Sequence, residues 1–463
     1  KLTNPDQATP WGPWDEKQHT MEDSAFGFIV MENGATIDLS ASWALNTLDV
    51  EEARTMLCGT KAGADMHNGE LHINGVKHGK QYVTTPNMKK KGVDFYEGSS
   101  DDPKVMEQRV AKVLSQIDGA GKVLMPGFVN GHTHLPMVLF RSSADDLELQ
   151  TWLNTRIFPM EARLTPDSVE CGAELALCEM ARAGVTTIND MYTQCRGLLP
   201  ALEKVPLRAT LSMGLFGQMD NAQAQLDDAI AFHNEADGAL GGLIRVGLGP
   251  HAEYTNTEDY LRLCGETARK LGCPLHIHVS ETKREHEECK QRYGVTPVRL
   301  LERADFFEGN RAFLAHCVWL EDEDIDILAR TGAAALHNPC SNLKLASGFA
   351  RVPEMLKKDV KLTLATDGAA SNNNLDLWEE MRICALMHKG NALDATVVPA
   401  ESALYMATRG GALALGYDDV GSVREGFRAD LILVDIDRPC YQPMTNLIHH
   451  IVYAGNSRDV VLT

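Results

Sequence analysis

Short apolar runs rich in β-branched residues recur from Lys122 onward, and each is followed by a polar loop and a helix-spaced stretch of roughly 10 to 20 residues. Eight such runs are present: Lys122–Asn130, Val185–Met191, Arg208–Leu215, Ile244–Gly249, Pro274–Val279, Arg311–Cys317, Ala333–Asn338 and Lys361–Thr366. Eight strands that alternate with helices predict an α/β fold in which a parallel sheet closes into a (β/α)8 barrel, rather than an open sheet.

Helix start and stop signals support this alternation. Thr165-Pro166 is a typical helix start, and the apolar stripe Val169–Met180 ends before Gly184. The same signals recur at Thr257–Leu271, which is followed by Gly272. We therefore predict one (β/α)8, or TIM, barrel without internal linkers.

Both ends of the chain carry a β-rich pattern outside the barrel. In the head, Phe26–Met31 and Ala35–Ala41 flank Asn33-Gly34, and Leu71–Ile73 leads into Asn74-Gly75, which predicts two hairpins. The tail has three strand-like runs, at Ala429–Asp435, His450–Ala454 and Asp459–Leu462. The chain ends are thus predicted to build a small, sandwich-like part, and the pattern leaves open whether head and tail share a sheet.

These elements predict three regions. A β-rich head spans 1–104, the barrel with its run-in spans 105–418, and C-terminal strands of the sandwich-like part span 419–463.

Composition and charge narrow the function. With 44% apolar and 23% charged residues the chain is typical of globular proteins, and its net charge of −20 repels phosphate backbones and anionic lipids. The apolar runs are also too short to span a membrane. We expect a small-molecule substrate and no nucleic acid or membrane partner. The composition is compatible with a homo-oligomer. Eleven Cys without a CxxC pair favour a reducing cytoplasm.

Polar side chains stand at the predicted carboxyl ends of four strands, where barrel enzymes build their active sites. His132 and His134 end the first run, His276–Glu281 the fifth, His316 the sixth and Asp367 the eighth. Because alternate strand residues face the same side, both imidazoles of the first run can point into the barrel mouth.

These residue types suit a metal site. Imidazole and carboxylate ligands at about 2.0–2.2 Å bind Zn²⁺ or a similar divalent ion and leave a position for water. A single His at a strand end is more often a packing residue than a ligand, but converging polar groups cost desolvation energy unless they are used. We therefore predict one catalytic divalent ion, Zn²⁺ by default, with Fe²⁺ and Mn²⁺ as alternatives.

Four segments together resemble the amidohydrolase superfamily, in the expected order. They are Met125–His134, His276–Glu281, Ala315–Cys317 and Thr366–Asn373. More narrowly, the stretch from about Val105 to Asp437 is similar to the 5′-methylthioadenosine/S-adenosylhomocysteine deaminases. The resemblance implies metal-dependent hydrolytic deamination of an adenine nucleoside, which yields the inosine analogue and ammonia.

Residue roles follow from the matching motifs. The resemblance implies four metal ligands: His132, His134, His278 and Asp367. It also implies that Asp367 takes the proton of the attacking water, that His316 hydrogen-bonds the attacked group, and that Glu281 protonates the purine ring at N1.

Substrate contacts are carried over in the same way. The family uses a Trp and a Glu after strand one, which match Trp152 and Glu161, and a His after strand four, which matches His251. Glu281 and Ser371, in the strand-five and strand-eight motifs, complete the predicted contacts. Glu161 is expected to accept hydrogen bonds from the ribose hydroxyls, whereas by residue type alone Trp152 and Glu161 look like ordinary helix-face residues.

One segment departs from the family pattern. Members that accept S-adenosylhomocysteine are expected to carry an Arg near the end of strand three, where this chain has Met213 within Leu211–Gly214. The following loop, Gln218–Gln225, also lacks Lys and Arg. This favours a small or apolar 5′ group, as in methylthioadenosine or adenosine, over S-adenosylhomocysteine.

The head has a second, shorter resemblance. Glu22–Thr36 and Gly59–Ala64 look like part of the C-terminal sheet domain of the glucose-fructose oxidoreductase family. No Gly-rich dinucleotide turn accompanies them, so the resemblance implies a β-rich segment without a nicotinamide cofactor.

Two other functions remain open. Another amidohydrolase of the same branch, such as a guanine or pterin deaminase or an s-triazine hydrolase, shares the HxH start. A catalytically inactive barrel that acts as a scaffold is the second alternative, although such proteins typically lose metal ligands and this chain retains all four.

Overall fold

The computed structural model describes residues 119–463 throughout and, before them, the strands at 24–30, 36–42, 54–58, 62–67, 70–77 and 80–84. The chain divides into two compact units, Lys1–Ile117 and Asp118–Thr463. The boundaries 1–104, 105–418 and 419–463 stay predictions.

The first unit contains an antiparallel sheet whose six strands neighbour one another in chain order. They are β1 (Ser24–Val30), β2 (Thr36–Ser42), β3 (Arg54–Cys58), β4 (Ala62–His67), β5 (Glu70–Lys77) and β6 (Lys80–Thr84). The pairing of β1 with β2 confirms the first predicted hairpin. Its predicted turn, Asn33-Gly34, lies outside the described residues.

The second predicted hairpin is wrong. Asn74 and Gly75 lie within β5, and ladder pairing with β4 on one side and β6 on the other keeps them extended. The chain instead reverses between Lys77 and Lys80, which pair with each other. An Asn-Gly pair favours a turn, but here pairing on both sides overrides that preference.

The second unit is built around eight parallel strands in chain order, which confirms the predicted barrel. A strand β7 (Lys122–Pro126) precedes β8 (Phe128–Thr133), β9 (Val185–Tyr192), β10 (Arg208–Leu215), β11 (Ile244–Pro250), β12 (Leu275–Val279), β13 (Ala312–His316), β14 (Ala334–His337) and β15 (Lys361–Leu364). The peptide N–H of Asp367, just beyond β15, donates to the carbonyl of His132 in β8 at 3.0 Å. This bond joins the last strand end to the first.

Helices alternate with these strands. The α-helices are Leu149–Trp152, Phe158–Glu161, Pro166–Arg182, Leu199–Lys204, Ala222–Ala236, Ala239–Gly242, Glu258–Leu271, Lys283–Tyr293, Pro297–Arg303, Asp322–Thr331, Pro339–Lys344, Val352–Lys357, Ala369–Asn372, Leu377–Ala392, Ala400–Ala407, Arg409–Ala414 and Leu447–Tyr453. A π-helical turn spans Leu153–Ile157, and 3₁₀ turns span Leu135–Phe140, Cys195–Leu198, Glu253–Thr255, Pro439–Tyr441 and Ser457–Asp459.

The predicted helix signals act as expected. Thr165 accepts a hydrogen bond from the N–H of Ser168 at 3.3 Å, and the helix ends at Arg182. The helix Glu258–Leu271 is capped by Thr257 in the same way and is followed by Gly272 in the left-handed conformation.

The strands bury apolar side chains on both faces. In β14, Ala335 belongs to the large cluster shared with the helices, whereas Ala334 and Leu336 belong to a smaller cluster with Phe313 and Ala315 of β13. Because alternate strand residues face opposite sides, the smaller cluster marks the barrel interior. Polar residues at the strand ends therefore rest on a packed apolar base.

A small third sheet flanks the barrel. The strands β16 (Leu431–Asp435) and β17 (Val460–Leu462) pair antiparallel in the order β17-β16-β7. The predicted first run, Lys122–Asn130, is thus two strands, which separate at Gly127. A Cβ at Gly127 would lie 2.2 Å from Thr186 Cγ2, so the chain passes too close to its neighbour for any side chain.

The predicted strand His450–Ala454 is wrong, because this segment belongs to the helix Leu447–Tyr453. The side chain of Asn446 accepts from the N–H of His449 and starts the helix, and Ile451 and Val452 are buried. A short apolar run is ambiguous between helix and strand, and the N-cap decides it here. Across the described residues, every helix is too short or too polar to cross a membrane.

The contact between β8 and β15 has no room for a larger residue. A Cβ at Gly131 would lie 2.3 Å from Thr363 Cγ2 and 3.1 Å from the carbonyl oxygen of Leu364. We expect Gly131→Ala to lower the free energy of unfolding by about 1–3 kcal/mol in urea titration. The control Gly390→Ala, a helix position with nothing within 4 Å, is expected to leave stability unchanged or raise it by up to about 1 kcal/mol. Equal midpoints for both variants would contradict this packing.

Candidate active site

The structure brings together four side chains that the sequence separates widely. His132 and His134 stand at the end of β8, His278 lies in β12, and Asp367 follows β15. Asp367 Oδ1 lies 3.4 Å from His132 Nε2 and 3.3 Å from His134 Nε2, and His134 Nε2 lies 3.4 Å from His278 Nε2. These separations match the edges of a tetrahedron with bonds of about 2.0–2.1 Å.

Hydrogen bonds orient the three imidazoles. His134 Nδ1 donates to the carbonyl of Met191 at 2.6 Å, and His278 Nδ1 donates to the carbonyl of His251 at 2.7 Å. A carbonyl only accepts, so Nε2 of each ring is left with a free lone pair. His132 Nδ1 contacts His276 Nε2 at 2.9 Å, and its own Nε2 is buried and faces Asp367 Oδ1 at 3.4 Å. Hydrogen bonds that orient imidazole rings in this way are typical of metal-ligating histidines.

Asp367 is held in a fixed orientation. Its Oδ2 accepts from the hydroxyls of Ser341 at 2.7 Å and Ser371 at 2.8 Å, while Oδ1 faces the imidazoles. Burial opposes ionisation, but hydrogen bonds to His132 and His134 hold the pKa of Asp367 well below its usual value. The resulting donor set of three nitrogens and one carboxylate oxygen fits a divalent ion such as Zn²⁺, Fe²⁺ or Mn²⁺.

His316 and Glu281 lie beside this cluster. His316 is in the left-handed conformation with φ 72°, and its Nδ1 contacts Asn342 Oδ1 at 2.9 Å and Asn338 Nδ2 at 3.3 Å. Its Nε2 lies 3.8 Å from Glu281 Oε2. Burial raises the pKa of Glu281 above its usual value, which favours the protonated carboxyl.

One pocket is lined by nearly all of the predicted site residues. Its walls include the predicted substrate contacts Trp152, Glu161, His251 and Glu281. Of the remaining predictions, His132 lies fully buried among the cluster, and Ser371 bonds to Asp367 instead of lining the pocket. A substrate contact for Ser371 stays a prediction.

Glu161 is half-buried beside Tyr192. Burial raises the pKa of Glu161, and the neighbouring Tyr192 side chain opposes the rise. None of the described residues that line the pocket is Lys or Arg. A carboxylate in this setting gains from hydroxyl donors on a bound molecule.

The sequence reasoning missed several wall and support residues. Tyr192, Phe216 and Tyr254 line the pocket, and Ser341 and Asn342 support Asp367 and His316. The aromatic residues look like core residues in the sequence. Ser341 and Asn342 could have been found from their position, because they lie in a polar segment directly after the seventh strand-like run.

At the end of strand three, the residue that stands in place of the expected Arg does not face the pocket. Met213 is buried and does not line the pocket, whereas Gly214 and Phe216 do. The Phe216 ring stacks on His251 with centroids 5.0 Å apart. An apolar ring thus occupies this part of the wall.

Comparison with known proteins identifies the family. The amidohydrolase family model matches residues 123–463. A 5-methylthioadenosine/S-adenosylhomocysteine deaminase of Dictyoglomus thermophilum is 46% identical over 74% of this chain and 80% of its own, and a 5'-deoxyadenosine deaminase of Methanocaldococcus jannaschii is 43% identical over 75% and 83%. The crystal structure of an adenosine deaminase from Xanthomonas campestris with bound zinc has a TM-score of 0.70 and 31% identity, over 86% of each chain. The chain therefore belongs to the amidohydrolase family.

Proposed function

We propose that the protein is a metal-dependent hydrolytic deaminase of adenine nucleosides. The observation that carries this proposal is one pocket that joins the His and Asp cluster to the buried carboxyl of Glu281 and to a second carboxyl, Glu161. The names of the relatives, which refer to deamination of methylthioadenosine, S-adenosylhomocysteine and 5'-deoxyadenosine, support the same class.

The metal site is part of this proposal. His132, His134, His278 and Asp367 hold one divalent ion, and zinc is the default because the 31% identical adenosine deaminase contains it. An ion in such a site activates water for attack at neutral pH. Asp367 accepts the proton of that water.

Glu281 carries the other proton transfer. Its buried carboxyl favours the protonated form and donates to N1 of the purine, which makes C6 electrophilic. Water adds at C6 while His316 Nε2, turned toward Glu281, hydrogen-bonds the attacked group. The proton taken up by Asp367 passes to the amino nitrogen, which leaves as ammonia. The proton of the new C6 hydroxyl passes to Glu281, which restores its carboxyl and leaves the 6-oxo inosine analogue.

The walls of the pocket define the substrate. Trp152 covers the nucleoside, Glu161 accepts from the ribose hydroxyls, and His251, stacked on Phe216, lies near the sugar. With apolar residues and no Lys or Arg among the described lining residues, the pocket favours a small or apolar 5′ group. We also propose a cytoplasmic location, since every cysteine in 119–463 is free.

Substrate choice tests this proposal directly. Ammonia release is expected from methylthioadenosine, adenosine and 5'-deoxyadenosine, with a lower kcat/KM for S-adenosylhomocysteine because the pocket offers its carboxylate no cation. Free guanine, a pterin and an s-triazine serve as the comparison set. Faster turnover of any of these free bases than of every nucleoside would overturn the proposal.

The role of Glu161 is testable separately. Glu161→Gln is expected to lower kcat/KM for adenosine by about 10- to 100-fold, since hydrogen bonds to a charged group are weakened. With free adenine, which lacks ribose, Glu161→Gln should have almost the same kcat/KM as wild type. The exposed Glu203→Gln is the control and should match wild type. Equal losses on adenosine and adenine would exclude a ribose contact.

Metal content tests the ligand set without relying on activity. His278→Ala is expected to lose most of the bound metal in elemental analysis, and its kcat/KM should fall by more than the roughly 10- to 100-fold typical of groups that only support a ligand. His449→Ala, at an exposed position, is the control. Full metal occupancy in His278→Ala would remove His278 from the proposed ligand set.

A further inference from the structure

A second buried carboxylate, Glu285, lies behind the loop that carries Glu281 and has no part in the proposed metal site or substrate contacts. It belongs to the helix Lys283–Tyr293 and is only 4% exposed. Burial, followed by the charges of Glu281 and Glu253, raises its pKa to about 8. A group this costly to bury is usually retained for a purpose.

Both oxygens of Glu285 bind the backbone next to the proposed proton donor. Oε1 accepts from the N–H of Ser280 at 2.7 Å, and Oε2 accepts from the N–H of Glu281 at 2.7 Å. The sequence Thr282-x-x-Glu285 reads as a capping box, in which the carboxylate would return to the N–H of Thr282. Thr282 does accept from the N–H of Glu285 at 3.2 Å. The Glu285 carboxylate, however, binds the N–H groups of Glu281 and Ser280, which precede Thr282.

The loop so held is strained. Ser280 has a φ of 50°, a conformation that L-residues other than Asn and Asp rarely adopt. Its carbonyl accepts from the N–H groups of Val318 at 3.1 Å and Trp319 at 2.9 Å. Ser280 is thus fixed at its N–H by Glu285 and at its carbonyl by the loop after β13. Strain of this kind persists only where the surroundings enforce it.

We propose that Glu285 is a positioning residue, which directs the carboxyl of Glu281 toward the substrate ring by binding the peptide N–H groups of Ser280 and Glu281. The inference rests on the proposed function, because it concerns the proton that Glu281 transfers. Without the two acceptors, both N–H groups are buried unpaired and the Ser280 conformation is released. Glu281 then samples orientations that do not reach the ring nitrogen.

The first test is Glu285→Gln, whose amide replaces one acceptor with a donor that faces an N–H. With methylthioadenosine or adenosine as substrate, kcat is expected to fall by about 10- to 100-fold. The change in KM should be much smaller, because the contacts of Trp152, Glu161 and His251 are untouched. Metal content should equal that of wild type. Glu287→Gln, on an exposed face of the same helix, is the matched control and should retain wild-type kinetics.

The decisive test repeats the substitution in a Glu281→Gln background. If Glu285 acts only through Glu281, Glu285→Gln causes no further loss of kcat there, whereas a general structural role gives losses that multiply. Multiplying losses, or a Glu285→Gln variant with wild-type kcat, would overturn the inference.

Glu285→Asp, which keeps a carboxyl group, is taken through the same double-mutant cycle in case Glu285→Gln does not fold. If neither variant folds with metal bound, Glu285 is needed for folding and the inference is wrong. If wild type and Glu287→Gln release no ammonia from any adenine nucleoside, the proposed function is wrong, and so is this inference, which rests on it. If the controls are active and the losses of kcat multiply, the positioning role of Glu285 is wrong and the proposed function still stands.

Discussion

The closure of the barrel between β8 and the end of β15 is the constraint on which the site depends. The Asp367 N–H bonds to the carbonyl of His132, and the Asn130 amide bridges the same two strand ends by donating to Thr366 Oγ1 at 2.8 Å and accepting from the Thr366 N–H at 3.1 Å. These bonds bring a carboxylate and an imidazole separated by most of the barrel sequence to 3.4 Å. Gly131 permits this approach because it has no side chain. The ligand geometry is therefore a consequence of barrel closure.

Buried carboxylates organise the loops above the strands. Glu285 holds the loop after β12, and Glu380 plays a similar structural part after β14 and β15 by accepting from the Cys340 N–H at 3.0 Å and from Asn372 Nδ2 at 2.5 Å. Burial raises the pKa of Glu380 to about 8, so this network also costs free energy. Left-handed residues such as Ser280 and His316 occur in the loops that carry the site. Strain and buried charge thus accumulate where the proposed chemistry takes place.

Sequence reasoning succeeded where the periodicity was long or repeated. All eight barrel runs are strands, and residues at four strand ends meet in one place, because strand direction alone determines where carboxyl ends lie. It failed for His450–Ala454 and for Asn74-Gly75, where a side-chain cap or ladder pairing outweighs local preference. It also missed Phe216 and Glu285, since in the sequence they look like an ordinary core aromatic and an ordinary helix-capping Glu. Their position depends on tertiary contacts that the sequence does not encode locally.

The charge of the pocket bears on which nucleosides it accepts. Glu161, Glu281 and Asp367 all line it, and none of the described residues that line it is Lys or Arg. In the proposed function a divalent ion would compensate for charge at Asp367 but not at Glu161, which stands with Tyr192 on the pocket wall. A neutral nucleoside would bring hydroxyl donors to Glu161, whereas a carboxylate on the 5′ group would add a like charge to this pocket. We therefore propose that repulsion and the absence of Lys and Arg from the described lining both act against a 5′ carboxylate.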